Sequence, residues 1–293
     1  MSSIVMDTIR PQLRDEYRRW FKKLGRAPLG SQCVISMDDV LRAHYLLVDY
    51  FIEEGEEIGL CGPRDANLLV SAISRQATGF GGLSKWQEPL ARCATLFFGL
   101  IKDHPFHDGN KRTALLVALH NLYKIKRTPD APQKEFERLA LRTASNRLSD
   151  YSRYRPSEDD AEVCFIRRFL QKRTRPMNKR MYVITYRDLD RILRHYGHSL
   201  DNPSGNCIDV CRTVEEKRGI LGRRRQRSKK KVLQIGFPRW TAQVGLKAMK
   251  SVLAKTGLTP ERGYDSEVVF HDAEPLGALI DSYRGPLKRL KDR

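Results

Sequence analysis

The chain has no apolar run long enough to span a bilayer, and its opening residues, MSSIVMDTIRPQLRDEY, lack the apolar core of a signal peptide. Its six cysteines (Cys33, Cys61, Cys93, Cys164, Cys207, Cys211) are scattered, without the dense spacing of a small disulfide-stapled domain. No internal repeat is visible. These absences lead to the expectation of a reduced, cytoplasmic protein with no membrane partner. Acidic charge is also scarce. Across 293 residues, 35 Asp and Glu face 54 Lys and Arg, a net charge of +19 that suits contact with polyanions such as nucleic acid, nucleotides or ribosomes. Apolar residues at 40% and aromatics at 9% are enough for real cores.

The basic stretch Arg173–Arg180, with Pro176 inside it, divides the chain into a first domain over 1–176 and a second over 177–293. From Met177 onward there are 25 basic and 13 acidic residues, against 29 and 22 before it, so the shorter part carries most of the excess charge. The first part reads as all helical. Ser36-Met37-Asp38-Asp39 forms a start signal before Val40, Leu41, His44, Leu47, Val48 and Phe51, which recur at helical spacing. Pro63-Arg64-Asp65 opens a second helix, and Gly79, Gly81 and Gly82 mark a loop. Pro89 begins an apolar helix to Lys102, and another is expected from near Arg112. Two more fall at 134–147 and 160–172.

Between the two most apolar helices lies His104-Pro105-Phe106-His107-Asp108-Gly109-Asn110-Lys111-Arg112, a polar segment where buried backbone must find partners. Its residue types suit phosphate chemistry. Gly109 permits positive φ and the close approach of an anion. The start of the following helix favours negative charge, and Lys111 and Arg112 add positive charge. Asp108 is an oxygen ligand suited to Mg²⁺ on substrate phosphates. His104 is a candidate base for a hydroxyl. Asp-Gly is equally a turn signal for any helix–loop–helix connection, and at this point both readings stand. His44, His107 and His120 read as packing or loop residues.

The segment resembles the Fic/Doc (Fido) family motif HxFx(D/E)(G/A)NxRxxR, and most closely the death-on-curing branch, whose motif ends in NKRTA as here. Gly62-Pro63-Arg64-Asp65, the Leu68-Leu69 helix, Gly81-Gly82 and ATLFFGLIKDHPF extend the likeness over about 36–172. The resemblance implies an all-α Fido fold using ATP and Mg²⁺. His104 would activate a target hydroxyl, Phe106 would anchor the loop, and Asp108 would hold Mg²⁺. Gly109, Asn110, Lys111 and Arg112 would bind the nucleotide phosphates, and Phe80, Gly81 and Gly82 would belong to a target-positioning flap. AMP-transferring members carry Gly at the position of Lys111 and a further Arg at that of Leu115. The Lys implies transfer of the γ-phosphate instead, to a Ser or Thr hydroxyl of a protein in the translation machinery, by a toxin with a separate antitoxin. AMP transfer by the same residues is the alternative. No (S/T)xxxE(G/N) inhibitory motif is found.

The second part reads as a small α+β domain. Thr185 caps a helix over YRDLDRILRHYG, strands are expected at 206–211 and 232–237, and helices at 242–255 and 275–291. Residues 217–231 hold nine Lys or Arg in fifteen, read as a protruding hairpin between strands, either a solvated linker or in contact with RNA, the ribosome or a protein. The element order resembles the HicA toxin fold, itself like a double-stranded-RNA-binding domain. The His that HicA ribonucleases need is missing from Pro203-Ser204-Gly205-Asn206-Cys207. A third reading is a nucleic-acid-binding protein whose Fido domain is inert or regulatory. Cys207 and Cys211, with His195 and His198, have a spacing unlike that of zinc sites and read as small apolar residues.

Overall fold

The computed structural model describes residues 6, 9–25, 29–30, 32–56, 59–177, 184–218, 224–259 and 275–291, with the backbone path alone for 215–218 and 224–227. The chain divides into two compact units, Met1–Asn178 with Tyr283–Arg293, and Lys179–Ser282. Its final residues, which the sequence groups with the second domain, therefore pack with the first. Among the described residues no helix is long and apolar enough to cross a membrane.

In the first unit, Pro11 opens α1 (Pro11–Leu24) at a position where the missing N–H costs nothing. Ser36 caps α2 (Met37–Glu53) through a complete capping box with Asp39. Asp65 caps α3 (Ala66–Ser74) by accepting from the Asn67 and Leu68 amides. α4 (Pro89–Lys102) and α5 (Asn110–Lys124) follow, then α6 (Gln133–Ala144) and α7 (Ala161–Arg173). Helix α5 is buried nearly all round, from Arg112 through Leu122, which makes it the centre of the unit. α2, α4 and α6 pack around it, with α1 outside α2 and α7 outside α4. The last helix of the chain, α11 (Arg284–Arg289), packs on α6, burying Pro286 and Leu287, with Tyr283 edge-on to Phe136.

Two short antiparallel pairs correct the all-helical expectation. Gly79–Phe80 (β1) pairs with Leu83–Ser84 (β2) across Gly81-Gly82. Both glycines have positive φ (60° and 81°), as a tight two-residue hairpin turn requires. Arg127–Pro129 (β3) pairs with Thr174–Pro176 (β4), so part of the basic stretch that divides the chain is strand.

The second unit runs α8 (Tyr186–His195), β5 (His198–Ser204), β6 (Cys207–Arg218), β7 (Arg224–Gly236), α9 (Leu246–Thr256) and α10 (Leu276–Ser282). The strands form an antiparallel sheet in the order β5-β6-β7. Thr185 caps α8 by a second capping box. Leu189, Leu193, Leu200, Ile208, Val210, Ile235, Met249 and Val252 form the core. Three expectations change. The sequence HSLDNPS, unread as strand, is β5, paired along β6. The strands expected at 206–211 and 232–237 run on into the basic run, which forms the paired arms of the protruding hairpin. The helix expected from Ala242 begins at Leu246, because residues 242–244 run beside 184–186, with Val244 N donating to Ile184 O and Tyr186 N to Ala242 O.

Asp39 joins the two ends of the first unit's central helix pair. One carboxylate oxygen accepts from Ser36 N (2.8 Å), Ser36 Oγ (2.8 Å) and Lys124 Nζ (2.6 Å). The other faces Arg42 (2.9 Å) and His120 (3.3 Å). Burial works to raise its pKa, but the His120 hydrogen bond and the Lys124 charge outweigh it and hold the carboxyl well below the usual range. Because the folded pKa is lowered, this contribution is complete above about pH 4 and declines below it. Asp39→Ala removes the cap and strands two cations, so urea unfolding at pH 7 should show a loss of about 3 kcal/mol.

Candidate active site

The loop between α4 and α5 is held by backbone from a distant segment. Pro105 O accepts from Arg64 N (2.7 Å), and His107 N donates to Gly62 O (3.2 Å), so 62–65 and 105–107 lie antiparallel. Phe106 is buried, and Asn110 clamps it from the next turn. The Asn110 amide group donates to Phe106 O and its carbonyl accepts from Phe106 N, both at 2.9 Å. Gly109 has φ 74° and caps α5, which therefore begins at Asn110 rather than near Arg112. No atom would meet a Cβ there, so the need for glycine is conformational.

His44 pins this arrangement from α2. The Gly62 amide can only donate, so His44 Nε2 accepts from it (3.0 Å). The ring proton then sits on Nδ1 and is donated to Thr113 Oγ1 (3.0 Å). The ring stacks on Phe106 at 4.0 Å and 13°. Burial, helped by the charge of His107, pushes the imidazole pKa down to about 3, which keeps it neutral.

Of the residues singled out by sequence, His104 is exposed and adopts φ 45°, a left-handed conformation that a non-glycine side chain rarely takes. Asp108, Gly109 and Lys111 follow, half-buried, at the start of α5, and the Asp108 carboxylate accepts from Gly109 N. The other two candidates have their side chains engaged within the protein. Asn110 is engaged with Phe106, as above. Arg112, 4% exposed, donates from Nε to Leu287 O (2.8 Å) and from Nη2 to Glu56 (2.9 Å) and Lys288 O (3.3 Å), with its plane over Phe51 at 4.1 Å. Two main-chain carbonyls and a carboxylate of the protein thus occupy the fork that would hold a phosphate. Leu115, where AMP-transferring members have Arg, is buried.

The glycine loop expected to form a flap is the β1–β2 hairpin, with Phe80 93% and Leu83 73% exposed. Next to His104, burial raises the Asp103 carboxyl. Among the described residues no three His, Cys, Asp or Glu side chains converge on one point. The donor set fits Mg²⁺ arriving with a nucleotide, since that ion takes one or two carboxylates and draws its remaining ligands from phosphates and water; Asp108 would be that carboxylate. Sequence reading missed His44, Glu56 and the Leu287 and Lys288 carbonyls. His44 left one trace, a polar residue inside the apolar stripe of α2. The carbonyls left none, being about as far from Arg112 in sequence as the chain allows.

A histidine whose folded pKa is lowered leaves the unfolded chain binding more protons between the two values, so stability falls as pH drops from about 6.5 towards 3. Between pH 7 and 5, His44 should account for about 2 kcal/mol of lost stability. Urea unfolding at both values should show that slope in the wild type. His44→Gln should be less stable at pH 7 and lose less on acidification.

No curated protein and no solved structure matches the chain. Residues 34–122, from the cap of α2 through most of α5, do match a family model, and they contain His44, Gly62, the whole loop and the first turns of α5; the family is Fic/DOC.

Proposed function

We propose that the chain is a Doc-like toxin that transfers the γ-phosphate of ATP to a Ser or Thr hydroxyl of a protein in the translation machinery. The observation that carries the reading is His104, exposed and in a left-handed conformation, leading through an anchored turn into Asp108, Gly109 and Lys111 at the start of a helix. Strained backbone of this kind persists where the surroundings over-determine it, and here Phe106 and Asn110 do so. The toxin role and the target class are supported by the motif's resemblance to the death-on-curing branch.

In this mechanism the His104 imidazole accepts the proton of the target hydroxyl as its oxygen attacks the γ-phosphorus. The bond from that phosphorus to the bridging oxygen breaks, and ADP leaves with the electron pair. Lys111 and the positive end of the α5 dipole stabilise charge on the phosphoryl oxygens. Mg²⁺, when bound with the nucleotide at Asp108, supplies further charge neutralisation. Arg112 contributes by holding α5 in place. Lys111 at the motif's Gly position and buried Leu115 at its last Arg position favour this over AMP transfer, which would use the same base.

The test is labelling of cell extract by the full chain with Mg²⁺ and either γ-labelled or α-labelled ATP. The γ-label should enter one protein band, and His104→Ala should lower its rate by roughly 100-fold or more. An α-label that depends on His104 would replace phosphate transfer with AMP transfer. Labelling that is absent, or unchanged in the variant, would overturn the transferase reading.

A further inference from the structure

Strands β6 and β7 continue beyond the sheet they belong to. β5 pairs with β6 as far as His198 opposite Arg212, with a last hydrogen bond from Thr213 N to Gly197 O (2.9 Å) just beyond. Past that point six residue pairs, from Thr213 opposite Lys229 to Arg218 opposite Arg224, form a ribbon of two strands, about 20 Å long at about 3.4 Å per residue. A bulge at Val210/Cys211 marks its root, where extra twist enters the strand. Of the ribbon side chains described, Thr213, Val214, Ser228 and Lys229, none belongs to the core. Ile208, Val210, Cys211 and Ile235 are buried, whereas Arg212, Thr213, Lys229, Lys230 and Lys231 are exposed.

The register also works against the ribbon's own stability. Glu215 lies opposite Arg227, but the two outermost pairs set Lys217 opposite Arg225 and Arg218 opposite Arg224, and like charges directly opposed across a ladder are destabilising. A hairpin of two strands is at best marginal in water before that repulsion is added. Near the root, acidic partners offset the charge, with Lys229 on Asp201 and Lys231 on Asp209, each at 2.6 Å. Further out the sequence supplies Glu215 and Glu216 against Lys217, Arg218, Arg224, Arg225 and Arg227. The excess of positive charge therefore grows away from the core. A polyanion would relieve it; folding alone does not require it.

We infer that this ribbon binds duplex DNA by lying in the major groove. Two strands about 4.8 Å apart, with their side chains, match a groove about 12 Å wide that admits a two-stranded β-ribbon. The deep, narrow major groove of A-form RNA does not. Two-stranded ribbons are also the most strongly twisted β structures, as a surface that follows a helical groove must be. The ribbon's length covers about six base-pair steps.

The inference is independent of the transferase reading, and its test uses the full chain. Fluorescence anisotropy with a 20-bp DNA duplex of arbitrary sequence, the same sequence as duplex RNA, and single-stranded RNA would be measured across a salt series. DNA binding should fall with salt on a log–log slope of about −4, and duplex RNA should bind at least roughly tenfold more weakly. Arg224→Gln with Arg225→Gln should weaken DNA binding at least roughly tenfold while leaving thermal stability equal or higher, because two opposed like-charge pairs disappear. That opposite movement separates lost contact from lost folding. His104→Ala should bind DNA as the wild type does. RNA bound as tightly as DNA, DNA binding unchanged in the double variant, or no binding up to about 100 μM would each overturn the inference.

Discussion

A neutral imidazole stands where three parts of the first unit meet. His44 accepts from the backbone before α3, donates to a threonine on the first turns of α5, and lies flat against the phenylalanine at the centre of the motif loop. None of these contacts is strong alone. Together they fix the position of the loop relative to both helices it joins, in a space closed to water. A charged ring could not accept from Gly62, and an apolar ring would leave a buried amide and a buried hydroxyl without partners. The placement of His104 and Asp108 thus depends on a residue that reacts with nothing.

Much of the fold could be read where the signal is local. Ser36, Asp65 and Thr185 announce helix starts by the chemistry of a short polar side chain over orphan amides, and all three sit where that chemistry puts them. Pro89 opens α4 because its missing N–H would have had no partner in the first turn. The misses share a cause, which is that their determinants lie far away in the chain. His198–Ser204 carries one apolar residue on the core face and a proline, and it is strand because β6 offers it a ladder. The expected tail helix breaks at Tyr283 because its two pieces belong to different cores.

The loop divides along the same line. Its turn, its glycine and the polar residues on its outer side were legible because their geometry is settled within a few residues. The partners of Asn110 and Arg112 were not. A side chain rich in donors beside a phosphate-type loop looks like a ligand, yet in a buried place the nearest carbonyls have an equal claim on it. Arg112 satisfies Leu287 and Lys288, and Glu56 balances its charge. The acidic residues that face the returning segment repeat the theme: Glu54 pairs with Arg284 and Glu137 with Arg289.

That returning segment also sets an order of events in time. Residues 283–291 complete a unit whose other elements, α1 to α7, precede the whole of the second unit along the chain. On a ribosome, α5 emerges and meets its neighbours while the carbonyls that hold Arg112 have yet to be synthesised. Until they arrive, Arg112 lacks two of its three acceptors and Glu137 lacks Arg289, and burying such groups incompletely paired is costly. The first unit can therefore reach its final form only after the inserted unit has been translated, so a prematurely truncated product ends with its central helix unlatched.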